Sequence, residues 1–252
     1  MDITFVTGTA GSGKSYLTSA LKGWYVGRGE DAIAVNLDPG VVTLPYEPDV
    51  DVRQMIDLQG IMEEYSLGPN GALILAADMV ATRLAEVQDE IDSQNAEYVI
   101  VDTPGQTELF AFRESGEYIV RQSRADSKVL LFLLDPLLAS TPVNFLSLAL
   151  LSASVGLRMS VPRISVLTKR DIAGEGVKRI VQWSKNAAVF EEALASTRDS
   201  DQYSLYSELF RSLRKLSFGS DLYPVSSTTQ EGLIALVGEI TRIGRGGEEL
   251  TD

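Results

Sequence analysis

The chain has 252 residues, 44% hydrophobic and 23% charged, the proportions of an ordinary globular protein long enough for one or two cores. Lys plus Arg number 22 against 35 Asp plus Glu, and the net charge of −13 sets up a field that repels nucleic acid and anionic membrane surfaces. Cysteine and histidine are both absent, which excludes disulfides, thiolate or imidazole metal sites and histidine-based triads, and leaves hard cations held by oxygen as the only suitable metals.

Met1 to Thr4 has no basic region followed by an apolar stretch, so no signal peptide is expected and a cytoplasmic location is the default. Ile3 to Thr7 is a short apolar run that predicts a buried strand. It leads into Gly8-Thr9-Ala10-Gly11-Ser12-Gly13-Lys14-Ser15, which fits the GxxxxGK[ST] phosphate loop in its proper place between strand and helix. Such glycines let successive N–H groups turn toward phosphates, and the helix N-terminus adds partial positive charge. Lys14 is placed to reach the terminal phosphates and the Ser15 hydroxyl to bind Mg²⁺. Gly11, Ser12, Gly13, Lys14, Ser15 and Tyr16 form the expected nucleotide-binding stretch. Leu17, Ala20, Leu21, Trp24 and Tyr25 then recur at helical spacing.

Ala32 to Leu37 predicts a second strand, ending in Asn36-Leu37-Asp38-Pro39-Gly40. Asp38 is expected to face the phosphates and hold a Mg²⁺-bound or attacking water, with Thr43 as a further hydroxyl on the metal side. An insertion from about 38 to 97 predicts two helices joined at Gly68-Pro69-Asn70-Gly71, the second periodic from Leu73 to Ile91. By its own chemistry Gly68-Pro69-Asn70 reads as a helix stop and a turn. Tyr98 to Val101 predicts a third strand, followed by Asp102-Thr103-Pro104-Gly105-Gln106. An acidic residue after an apolar strand suits a Mg²⁺ site held through water. The Gly105 N–H can sense a γ-phosphate, Gln106 stands where Ras-like proteins keep a water-positioning glutamine, and Glu108 follows.

Val129 to Leu134 predicts a fourth strand. From Pro136 to Leu157 there is no charged residue, a length that could span a bilayer, but Pro136, Pro142, Ser140, Asn144, Ser147, Ser152 and Ser154 interrupt it. A helix from about Val143 is expected instead, in the core or against another subunit, and Val143 to Leu157 is also a candidate client surface. Ile164 to Leu167 predicts a fifth strand, ending in Thr168-Lys169-Arg170-Asp171, which fits [NT]KxD. The Asp171 carboxylate can accept from the N1–H and N2–H₂ of guanine, whereas adenine offers no matching pair of donors. The stem of Lys169 can lie over the base. A second helical insertion is expected over about 172 to 220, then a sixth strand, Leu222 to Val225. Ser226 and Ser227 follow it, placed to offer backbone N–H to the guanine carbonyl. Residues 1–243 read as one domain and 244–252 as a disordered tail.

Alternating buried strands and helices define an α/β fold of the P-loop NTPase kind, a mostly parallel sheet flanked by helices, with helical insertions. The order of Gly8–Ser15, Asn36–Pro39, Gly68–Asn70, Asp102–Glu108 and Thr168–Asp171 resembles the GPN-loop GTPases, most closely an archaeal homodimeric member. Gly40 departs from the alanine expected after that Pro. The resemblance implies a homodimer in which the Gly68-Pro69-Asn70 loop of one subunit enters the active site of the other. Asn70 would contact the partner's γ-phosphate region, Asp38, Gln106 and Glu108 would arrange the attacking water, and Lys14 and Mg²⁺ would offset charge. Metal ligands would be Ser15, Asp102 and Asp38. Eukaryotic members are linked to RNA polymerase assembly and nuclear import, which makes RNA polymerase or an assembly intermediate a candidate client. Nucleic acid and membrane are not expected partners.

Three rivals carry weight, and a fourth is distant. A partitioning or targeting ATPase would carry an extra lysine where Thr9 and Ala10 stand. A nickel-insertion GTPase needs His or Cys ligands. A GTP-gated scaffold without useful turnover shares every motif and is separated only by assay. A small-molecule kinase would need an acceptor site that the sequence does not display.

Overall fold

The computed structural model describes residues 1–196, 202–215 and 222–244. The expected tail lies outside the described residues from 245 onward, as do 197–201 and 216–221 of the second insertion and its exit.

Largely apolar runs, buried along most of their length, form the central strands, since a parallel strand covered on both faces has no wet side. In chain order the elements are β1 (Asp2–Gly8), α1 (Lys14–Val26), β2 (Ala32–Asn36), β3 (Val50–Asp51), α2 (Leu58–Glu64), α3 (Pro69–Thr82), α4 (Leu84–Ser93), β4 (Tyr98–Asp102), α5 (Thr107–Ala111) and α6 (Glu114–Gln122). Next come β5 (Ser127–Leu134), α7 (Pro142–Met159), β6 (Arg163–Leu167), α8 (Arg170–Ala173), α9 (Glu175–Lys185), α10 (Ala187–Ala195), α11 (Tyr203–Lys215), β7 (Leu222–Pro224) and α12 (Leu233–Gly244). Among the described residues the strands form one sheet, ordered β3-β2-β4-β1-β5-β6-β7 and parallel throughout.

Alternate residues feed two cores. Ile3, Phe5, Leu130, Phe132 and Leu134 pack into one, under α2–α7 and α9–α11. Val6, Val129, Leu131 and Leu133 pack into the other, under α1 and α12. β1 lies at the centre, so its carboxyl end opens between β4 on one side and β5 on the other. The phosphate loop therefore sits at the carboxyl end of the sheet, where an open parallel sheet binds ligands.

The structure corrects two expectations. First, the periodic stretch 73–91 is two helices, broken at Arg83, which caps both. Second, Gly68-Pro69-Asn70 does not stop a helix. α2 ends at Glu64, and the tripeptide starts α3, with Gly68 as the extended N-cap and Pro69 in the first turn. Proline suits that position because its missing N–H has no partner there in any case. For Val143–Leu157 the core reading, one of those expected, holds for one part of the helix. α7 is the single helix among the described residues long and apolar enough to cross a membrane, but Phe145, Leu146, Ala153, Val155 and Met159 are buried in the protein. Only Leu157, at 70% exposure, stands out as an exposed large apolar side chain on it. Phe145 and Phe190 meet edge-on at 5.9 Å, and Phe190 stacks on Phe210 at 3.9 Å, which fastens α10 and α11 of the second insertion to α7.

Candidate functional site

The phosphate loop depends on glycine at two positions in particular. At Gly8 a Cβ would sit 2.7 Å from the Leu133 carbonyl oxygen of the neighbouring strand, with φ at +148°. Gly13, with φ at +94°, is the N-cap that turns the chain into α1. Side chains other than glycine are strained at both. Ser12 is fully buried, and its carbonyl accepts from the Thr168 hydroxyl at 2.8 Å. Thr168 also donates to Leu134 (3.2 Å). This residue thus ties the loop after β6 to the phosphate loop, a structural role for the first residue of [NT]KxD.

A cleft of about 290 Å³ opens above the sheet between β1, β2 and β4. Gly11, Gly13, Lys14, Ser15, Tyr16, Asp38, Thr43, Asp102 and Gly105 are among its lining residues. Lys14 Nζ lies within hydrogen-bond distance of the carbonyls of Gly8 (2.8 Å), Thr9 (3.0 Å) and Gly105 (3.1 Å). Burial pushes its ammonium below the usual lysine value, and the charges of Asp102 and Asp38 pull it part of the way back. Asp38 accepts from Gly105 N–H at 2.9 Å with one oxygen and from Gly40 N–H at 2.9 Å with the other. Both of its oxygens thus accept from backbone N–H groups. The expected γ-phosphate sensor, Gly105 N–H, is held by a carboxylate, the closest protein mimic of a phosphate oxygen.

Asp102 is buried at the end of β4. Its Oδ2 accepts from the Tyr46 hydroxyl (3.1 Å), while Oδ1 is buried without a hydrogen-bond partner. Burial pushes the carboxyl up to about 6, against the Ser15 and Tyr46 hydroxyls and the Lys14 charge, while Asp38 adds to the rise. An orphaned buried carboxylate oxygen beside Ser15 is what a Mg²⁺ site needs, and the residues present fit that ion. Among the described residues no group of three or more acidic side chains could hold a metal, so the ion would be shared with bound phosphates.

This has a consequence for stability. Between pH 3.8 and about 6 the folded protein retains a proton on Asp102 that the unfolded chain loses, so stability falls as pH rises through that window. In metal- and nucleotide-free protein, Asp102→Asn is expected to raise stability by roughly 2–3 kcal/mol at pH 8 and to leave it nearly unchanged below pH 4. Urea denaturation at the two pH values checks this, and an equal gap at both would contradict it.

The loops that follow β5, β6 and β7 carry further expected residues. Lys169 adopts a left-handed conformation (φ 54°), and its ammonium pairs with Asp135 at 2.7 Å. Asp135 is buried at the end of β5, with its other oxygen accepting from Leu137 N–H. The pair fixes the direction of the Lys169 stem. Arg170 N–H donates to the Val225 carbonyl, and Thr228 lies 3.4 Å from Asp171, so the loops after β6 and β7 are brought together. Asp171 itself is exposed. Of the two serines expected to offer N–H to a base, Ser226 already donates to the Glu231 carbonyl. Ser227, half-buried, is the one left to do so.

The cleft does not gather every expected residue. Gln106 caps α5 and Glu108 lies in its first turn, both exposed. Asn70 is exposed at the start of α3. None of the three lines the cleft. The sequence reading missed Tyr46 and Asp135. Asp135 follows an apolar strand just as Asp102 does, a signal that could have found it. Tyr46 carried none.

A central strand feeding a glycine loop and helix, with a buried Asp at the end of the next strand over, defines a P-loop NTPase. A family model described as "Conserved hypothetical ATP binding protein" matches residues 6–245. The chain is 35% identical over 181 residues to a GPN-loop GTPase of Pyrococcus abyssi, covering 71% of each chain. It is 30% identical over 251 residues to GPN-loop GTPase 3 of Eremothecium gossypii, covering 96% of this chain and 92% of that one. The solved apo structure of a Pyrococcus abyssi GTPase superposes with a TM-score of 0.84 at 28% identity, over 96% of this chain and 97% of that chain. This chain belongs to the GPN-loop GTPase family. It spans 58% of the length of GPN-loop GTPase QQT2 of Arabidopsis thaliana, at 31% identity, and 48% and 61% of two further curated relatives.

Proposed function

We propose that the chain hydrolyses GTP to GDP and phosphate as a homodimer, with the Gly68-Pro69-Asn70 loop of each subunit completing the site of the other. The observation that carries this is spatial. Lys14, Asp38, Asp102 and Gly105 converge on one cleft, while the tripeptide stands exposed outside it at the head of α3. The first turn of α3 holds no acidic residue, so its N–H groups and the Asn70 amide suit an anionic target. A second subunit supplies one.

The contacts of Asp38 and Lys14 suggest how the γ-phosphate is read. Gly105 N–H now faces Asp38, and Gly105 O faces Lys14. A γ-phosphate competes for both donors. Taking them frees the Asp38 carboxylate to orient the attacking water, with Gln106 and Glu108 as further candidates for that task. Mg²⁺, held by Ser15 and Asp102, would offset phosphate charge. Asn70 is neutral, whereas arginine fingers contribute about 10³–10⁵-fold in other GTPases, so intrinsic turnover is slow. The output is then conformational: nucleotide state alters the dimer and the surface shown to a protein client in the cytoplasm.

Use of ATP is the second reading, favoured by the wording of the family description. Asp171 argues against it, because an acceptor carboxylate left facing adenine has no donor pair. Competition of labelled GTP by unlabelled ATP decides between them. GTP is expected to be preferred by about a hundredfold, with the preference reduced to near parity in Asp171→Ala. Preference for ATP, or a preference unchanged by the substitution, would refute guanine reading by this loop.

A further inference from the structure

Beyond its Asp38 turn, the loop 37–49, between β2 and β3, is held by contacts at Val41, Tyr46 and Asp49. Arg53, paired with Asp51 at 2.6 Å, donates to the Val41 carbonyl at 3.0 Å. Asp49 accepts from Lys22 (2.6 Å) and from Ala34 N–H (2.7 Å). These two contacts tie the loop to the edge of the sheet and to α1. The third is different, since the Tyr46 hydroxyl reaches across to Asp102 Oδ2 at 3.1 Å.

A carboxylate can turn about its Cβ–Cγ bond and exchange its two oxygens. The one bonded to Tyr46 is satisfied; the other is buried without a partner. A buried anionic oxygen left bare is costly, so a cation or its bound water is the natural occupant of that direction. We propose that Tyr46 is a positioning residue for the metal. Its phenol fixes the rotation of Asp102 so that Oδ1 is turned toward Mg²⁺, and it thereby couples the seating of loop 37–49 to arrival of the metal–nucleotide complex. The inference rests on the reading of the cleft as a Mg²⁺–nucleotide site.

Tyr46→Phe keeps the ring and removes only the hydroxyl. The probe is a fluorescent GDP, titrated with Mg²⁺ into folded protein and measured again in excess chelator. The Mg²⁺ concentration for half-maximal binding is expected to rise about three- to tenfold, with affinity in chelator unchanged. On an Asp102→Ala background the same substitution is expected to add nothing, because the two groups act through one contact. An unchanged Mg²⁺ midpoint overturns the proposal. So does an equal loss of affinity with and without metal, which would make Tyr46 a packing residue of the loop. Wild-type binding that ignores Mg²⁺ altogether would instead refute the underlying reading of the cleft. Melting curves of the Phe variant check that the fold is intact.

Discussion

Lys14→Ala is expected to lower GTP hydrolysis by about 10³-fold or more. The ammonium is largely buried at the edge of the cleft, within hydrogen-bond distance of the carbonyls of Gly8, Thr9 and Gly105. Its desolvation is already met in the fold, which is why its pKa is pushed down. Exchanging neutral carbonyls for a phosphate of growing charge therefore needs little reorganisation and is strongest in the transition state. Alanine removes that charge and also the link between the phosphate loop and Gly105, so the γ-phosphate loses two contacts at once. The loss should fall mainly on the chemical step, and single-turnover phosphate release at saturating GTP measures it. A variant that binds GTP weakly but turns over at the normal rate would contradict this assignment.

Asn70→Ala is expected to slow hydrolysis by about a hundredfold while leaving GDP affinity nearly unchanged. The side chain is exposed in its own chain, so truncation should alter stability by less than about 0.5 kcal/mol. The helix that carries it is firmly placed. Asp78 on α3 pairs with Arg113 at 2.6 Å, and Leu73 lies over Gly40, where a Cβ would come within 2.4 Å of its Cδ2. That last contact also explains why glycine suits position 40, where the family resemblance suggested alanine. It joins the first turns of α3 to the Asp38 turn of the same chain. Phosphate release and GDP titration on the same preparation separate the two effects, and parallel losses in both would argue for a general binding role.

Much of this fold was legible because burial on both faces writes the strands as unbroken apolar runs, as in Val129–Leu134. The phosphate loop, Asp102 and the Thr168–Asp171 loop were legible because their chemistry is local to a few residues. β3 was not, since Val50–Asp51 is two residues long and too short to show a period. The break at Arg83 was hidden because α4 continues the apolar face of α3 across it: Val80, Leu84 and Val87 are all buried. Gly68-Pro69-Asn70 was misread as a stop although Pro in a first turn is a recognised start. Contacts such as Tyr46 with Asp102, 56 residues apart, become visible only once the sheet order sets β2 beside β4.

Cooperation in trans is tested most directly by mixing two crippled chains. Lys14→Ala and Asn70→Ala subunits, co-expressed with different tags and purified together, should form mixed dimers. In each mixed dimer one site pairs an intact Lys14 with the partner's intact Asn70. If each loop serves the other subunit, equal mixing should restore about a quarter of the wild-type rate per chain, because half the dimers are mixed and each has one competent site of two. A rate no greater than the average of the two variants assayed alone would mean that each cleft works without its neighbour's loop.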